Sequence, residues 1–128
     1  MAEPERRPVV SNWDDIPNEQ VRRGVSRRAF GTSDVILVLN DIEPGMQPAP
    51  HVHDGFDQIA LILSGRATYH IGDIGHPVGP GTVMLIPAGV EHYIEPAGDE
   101  VVKNLDVFAP ARKDFAHLLK WMSDVTSA

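Results

Sequence analysis

At 128 residues the chain is a single domain's length, enough to bury about two-thirds of its unfolded surface, and the absence of cysteine removes disulfides, thiolate metal ligands and cysteine nucleophiles. A formal net charge of −7 would repel a phosphate backbone, and the arginine pairs starting at 6, 22 and 27 are too short and scattered to line a groove, so nucleic acid is excluded as a partner. The opening "MAEPERRPVV" has no apolar run, and no stretch approaches the roughly 18 apolar residues of a membrane span, so the expectation is a soluble, cytoplasmic protein without a membrane partner.

In chain order, residues 1–30 have weak periodicity and read as an N-terminal arm or edge strand with Trp13 packed against the rest. Six β-rich runs follow at 34–45, 57–65, 66–72, 82–87, 91–96 and 101–110, separated by Gly, Pro or Asp turns. Many short strands at that spacing predict an all-β sandwich or barrel over 31–112. The run "DQIALILSG" is apolar at both parities, which suits a strand covered by a second sheet or by another subunit. Residues 113–128 predict a short C-terminal helix, because Phe115, Leu118, Leu119 and Met122 recur at i, i+3, i+4 and i+7 while His117 lies off that stripe.

Chemistry concentrates in "HVHDGFDQIALILSG", residues 51–65. Read as a strand, His51 and His53 project from one face at chelate spacing, whereas His70 in a strand and His76 in a polar turn read as ordinary surface or core histidines. The wider pattern is G-x5-H-x-H-x4-Q-x6-G from Gly45 to Gly65, then G-x5-P-x-G-x2-H from Gly81 to His92. These two motifs resemble those of the cupin superfamily, with glutamine where most members carry glutamate. The resemblance implies a double-stranded β-helix, or jelly roll, holding one divalent metal ion per chain (Zn, Ni, Fe, Mn or Cu) through His51, His53, Gln58 and His92.

Asp57, one residue before Gln58, is the alternative fourth ligand if a bulge inverts the strand parity. A neutral amide beside three neutral imidazoles leaves the full charge of the ion in the cavity, which favours a small anionic ligand and Lewis-acid chemistry. Residues 106–112, "DVFAPAR", are further similar to the D-x-F-x-P-x-R run of the pectin-degradation cupins that act on 4,5-unsaturated uronates. By that resemblance Asp106 and Arg112 are catalytic, and Phe108 and Arg112 bind substrate, the guanidinium fork suiting a carboxylate. Tyr93, beside His92, is a weaker candidate for a substrate hydrogen bond because alternation turns it from the metal. A cupin dioxygenase or lyase on another small acid, or a non-catalytic binding cupin, are the alternatives. Strands apolar on both faces predict a homodimer.

Overall fold

A computed structural model describes residues 7–124. Nine strands follow in order: β1 (Glu19–Arg22), β2 (Val25–Gly31), β3 (Ile36–Ile42), β4 (Gln58–Ser64), β5 (Ala67–Ile71), β6 (Ile74–Val78), β7 (Val83–Ile86), β8 (His92–Pro96) and β9 (Val102–Phe108). They form a six-stranded sheet in the order β1-β2-β3-β9-β4-β7 and a three-stranded sheet in the order β6-β5-β8, every pairing antiparallel. This is the all-β, two-sheet architecture expected from the turn spacing. Among the described residues no helix is long and apolar enough to cross a membrane.

The inner face of the large sheet follows directly from the alternation of its strands. Ile36, Val38, Asn40 and Ile42 of β3 stand in register with Phe108, Asp106, Asn104 and Val102 of β9. The outer positions of each strand are therefore apolar, while the middle ones are polar except for Val38. Two apolar clusters result. One lies between the sheets around Val25, Ile42, Ile62, Tyr69, Ile86 and Val102, and the other gathers Ala29, Ile36, Val38 and Phe108 under Leu118. The polar layer separating them is where the site lies.

Three elements differ from the sequence reading. The segment read as an arm with an edge strand carries two strands, and β2 is an interior member of the large sheet; Arg27 and Arg28 obscured its alternation because both lie against the protein rather than in solvent. His76, read as a turn residue, lies in β6, an edge strand whose burial is too low to leave an apolar pattern. The C-terminal helix, Lys113–Asp124, is wound as tight 3₁₀ turns. It still packs Phe115, Leu118 and Leu119 on the second cluster, and its Trp121 Nε1–H donates to the carbonyl of Ala29 at 3.0 Å. That bond closes the stretch of β2 that β1 leaves unpaired, and Phe30 packs beside it at 5.9 Å from the indole.

The run 57–65 is apolar at both parities, and β4 buries Gln58, Ala60 and Ile62 while Ile59 and Leu63 remain about half exposed on the outside. Gly65 ends the strand at φ +81°, and a Cβ there would meet Val101 O at 2.8 Å, so this motif glycine is required by both conformation and close approach.

Candidate metal centre

The three motif histidines meet although only His92 belongs to a named strand. His51 forms an isolated antiparallel bridge with His92, its N–H donating to His92 O at 3.1 Å and its carbonyl accepting from His92 N at 2.9 Å. Gly89, at φ +81°, donates its N–H to His53 O at 2.8 Å, which ties the second histidine to the turn before β8. The expected strand through 51–53 is thus replaced by a loop whose backbone is pinned to β8 by His51 and to the turn before it by His53. Ring centroids lie 4.9 Å apart for His51 and His53, 4.2 Å for His51 and His92, and 5.0 Å for His53 and His92. One ligand nitrogen from each ring falls within 4.8 Å of the others, so the cluster could hold a metal ion.

Local hydrogen bonds leave the outer nitrogens available. His51 Nδ1 lies 2.8 Å from Ala49 O and His92 Nδ1 lies 3.0 Å from Val90 O; each carbonyl holds the proton on Nδ1 and leaves Nε2 as a lone-pair donor. His53 Nε2, His92 Nε2 and Gln58 Oε1 are buried without a hydrogen-bond partner. Three orphaned acceptors at one spot are costly in a folded protein unless a ligand completes them, and all three are metal-ligand atoms. The residues present therefore fit a divalent ion.

Gln58 is oriented from behind. Its Nε2 donates to Asp106 Oδ1 at 2.7 Å, which turns Oε1 toward the histidines. Asp106 also accepts from Asn104 Nδ2 at 2.8 Å and, through Oδ2, from Asn40 Nδ2 at 3.0 Å. Asp57 takes no part: it is exposed and its Oδ1 accepts from Ala88 N at 3.0 Å. Asn40 and Asn104 belong to neither motif, and their signal in the sequence is a polar residue at the inward parity of an otherwise apolar strand.

The cavity beside this cluster has a volume of about 440 Å³ and is lined by Gln58, Asn104, Asp106, Phe108, Arg112 and Phe115 among others. Arg112, expected to be near the terminal helix, rests its guanidinium on three rings, 5.2 Å from the centroid of Phe56, 5.0 Å from Phe108 and 3.9 Å from Phe115. Phe56 in turn stacks on His53 at 5.0 Å. Three of the chain's four phenylalanines thus gather here, although aromatic content is only 6%. Tyr93 borders the cavity but stacks its ring on His70 at 4.2 Å, on the face of β8 opposite His92.

The profile of the Cupin_2 family, described as a cupin domain, matches residues 38–108. The chain belongs to the cupin family. Among its relatives, Protein SchB of Streptomyces halstedii is 28% identical over 136 aligned positions, covering 99% of this chain and 96% of that one. The structure of KdgF from Halomonas sp. superposes with a TM-score of 0.72 at 22% identity, covering 80% of this chain and 93% of that one. That of the polyketide cyclase RemF from Streptomyces resistomycificus gives a TM-score of 0.74 at 20% identity, covering 84% and 82%. At these identities the two structures report the cupin fold.

Electrostatics separates the two halves of this cupin's site. His53 is held down to about 4, first by burial and then by the charges of Arg112, His51 and His92, against a smaller opposing effect of Gln58. His92 is lowered by burial as well. Burial pushes Asp106 up to about 6, opposed by the amides of Asn104, Gln58 and Asn40 and by the charge of Arg112. His53 thus stays neutral and able to bind metal well below neutral pH, and burial shifts His92 in the same direction.

Two predictions come from this arrangement. In the metal-free protein, His53 titrates at about 4 against about 6.5 in the unfolded chain, so between those values the unfolded chain takes up a proton that the fold refuses. His53 therefore destabilises the fold progressively as pH falls through this window, while Asp106, raised from 3.8 to about 6, acts in the opposite direction. The stability deficit of His53→Ala relative to wild type should shrink between about pH 6.5 and 4.5, measured by urea denaturation of chelator-treated protein. The second concerns Gln58. Asp106→Leu should weaken metal binding by roughly 10- to 100-fold, because an apolar side chain of similar shape offers the Gln58 N–H no acceptor. Asp106→Asn, whose Oδ1 can still accept from Gln58 Nε2, should retain most of it. Metal retention by equilibrium dialysis checks this, and unchanged retention in Asp106→Leu would exclude the orienting role.

Proposed function

We propose that this cupin is a metal-dependent enzyme acting on a small anionic substrate through proton transfer at an enol, with 4,5-unsaturated uronates as the substrate class. The observation that carries the reading is the set of three buried, unpartnered acceptors, His53 Nε2, His92 Nε2 and Gln58 Oε1, beside a cavity whose wall also holds Asp106, Phe108 and Arg112. His51, His53, Gln58 and His92 would hold a divalent ion, which when bound would supply Lewis-acid polarisation.

Every other contribution comes from the chain itself. Arg112, fixed on its aromatic seat, binds the carboxylate, and Phe108 supplies a flat wall for the unsaturated ring. Among the described residues Asp106 is the only carboxylate lining the cavity, and it moves the proton. In the reaction the anomeric hydroxyl loses its proton, the bond between C1 and the ring oxygen breaks, and the enol so released is protonated at C4, giving an open-chain ketone with no net change in composition. The residue run 106–112 that resembles pectin-degradation cupins and the likeness to KdgF support this choice of substrate.

A second reading, proton abstraction during cyclisation of a polyketone chain, draws support from the apolar part of the cavity, where Val25, Val38, Ile42 and Phe115 face the space, and from the likeness to RemF. Both readings share an enolate and an acidic substrate.

The direct assay follows the ultraviolet absorbance of a 4,5-unsaturated uronate with metal-loaded protein, spontaneous ring opening subtracted. A rate above background is expected. Arg112→Met should act mainly on KM, by about tenfold or more, because its contact exists before the chemistry begins. No rate above background would exclude the uronate and leave the cyclisation reading to be tested with a polyketone acid.

We also propose a homodimer formed through the outer face of β4 and β7. Register places Ile59 beside Leu85 and Leu61 beside Val83, and Val83 and Leu85 are 68% and 63% exposed. β7 is an edge strand, and a two-fold axis through this patch sets like against like, so a second copy of the chain covers both the apolar face and the edge. Light scattering at micromolar concentration should give a dimer for wild type and a monomer for Leu85→Lys; a wild-type monomer would exclude the assignment.

A further inference from the structure

Arg27 lies on β2, in the part of the chain whose sequence reads as an arm, and no motif includes it. Alternation with Val25 and Ala29 turns it to the inner face of the sheet, where it lines the same cavity as Arg112. Its guanidinium carbon sits 4.6 Å from the centroid of Phe115, and that of Arg112 sits 3.9 Å from the same centroid. One ring thus seats two cations, and their side chains are only 19% and 16% exposed.

Both guanidinium groups are held by the same edge. Arg27 gives Nε and Nη2 to Glu19, at 2.8 and 2.6 Å, and Arg112 gives Nε and Nη2 to Asp114. Among the described residues Nη1 of neither arginine donates to protein. Glu19 and Asp114 do not line the cavity, and their side chains are 37% and 59% exposed. Their charges are therefore screened by solvent more strongly than those of the arginines they hold, and the wall facing the cavity remains cationic. Two like charges side by side on a buried wall repel one another, and an anion between them relieves that repulsion.

From this we infer that Arg27 and Arg112 form a two-armed clamp on Phe115 that takes one carboxylate of the substrate between their Nη1 groups. The inference rests on the anionic-substrate reading above and deepens it: the acid is bound at the aromatic end of the cavity, so its reactive carbon and oxygen atoms lie away from the carboxylate, toward the histidines. Guanidinium and carboxylate carbons in a hydrogen-bonded pair stand about 4 Å apart, so one carboxylate bridges two guanidinium groups whose separation is limited, as here, by contact with a single ring. Arg27 is then a specificity-determining residue for acids over their neutral analogues.

The test uses metal-loaded full-length protein and calorimetric titration with four probes: D-galacturonate, salicylate and the methyl ester of each. Wild type should prefer each acid to its ester by roughly tenfold to a hundredfold. Arg27→Gln should lose most of that preference while binding the esters as wild type does, and Arg27→Lys should recover part of it. Glu19→Gln removes the outer carboxylate without touching the cavity, and it should keep or strengthen acid binding. If Arg27 served only to tie β1 to β2, Glu19→Gln would weaken acid binding as much as Arg27→Gln, and that result would overturn the clamp. Acid preference unchanged in Arg27→Gln would also overturn it while leaving the anionic-substrate reading intact. Binding of neither acid by wild type would overturn that reading and the clamp together.

Discussion

A carboxylate buried at the centre of a β-barrel needs partners, and Asp106 finds them on three different strands. Its oxygens accept amide protons from Asn40 on β3, Gln58 on β4 and Asn104 on its own strand β9. These strands are neighbours in the sheet order β3-β9-β4, so a single anion ties together the middle of the large sheet. Each lost bond would leave a polar group unpartnered in a low-dielectric interior, which costs more than the bond itself contributes. The same requirement decides which way the Gln58 amide points, and hence what the histidines see.

That polar layer also accounts for the division of the core. Apolar side chains fill the inner face above and below it, giving one cluster between the sheets and another under the C-terminal helix. A domain of this size has little spare apolar area, and interrupting its core with amides and a carboxylate lowers the hydrophobic contribution to folding. The compensation is geometric: hydrogen bonds are directional where apolar contacts are not, so the layer fixes ligand orientation to a degree that packing alone would not.

The charge pattern follows a similar division. The chain is acidic overall, yet among the described residues the cavity wall contains Arg22, Arg27 and Arg112 against the single carboxylate of Asp106. Surface acids such as Glu19 and Asp114 hold the arginines from outside while solvent screens their own charge. Net charge therefore describes the exterior and misreports the site. The aromatic content behaves likewise, being low on average and concentrated where Phe56, Phe108 and Phe115 surround Arg112.

Local rules were sufficient for much of this molecule. Gly, Pro and Asp turns at short spacing mark out most of the strands, and two-residue alternation sorts Ile36, Val38 and Ile42 inward, because both depend only on near neighbours in the chain. The spacing of His51, His53 and His92 within two glycine-bounded motifs was legible for the same reason. Tertiary structure alone decided what depends on residues distant in sequence. His51 and His53 were brought to His92 by a bridge across 41 positions rather than by a strand of their own. The inward turn of Arg27 was invisible because an arginine pair reads as solvent-facing until Glu19 and Phe115 are seen around it. Which oxygen or nitrogen of Gln58 faces the histidines was set by Asp106, 48 residues away, since an amide has no preferred orientation until a neighbour demands its proton.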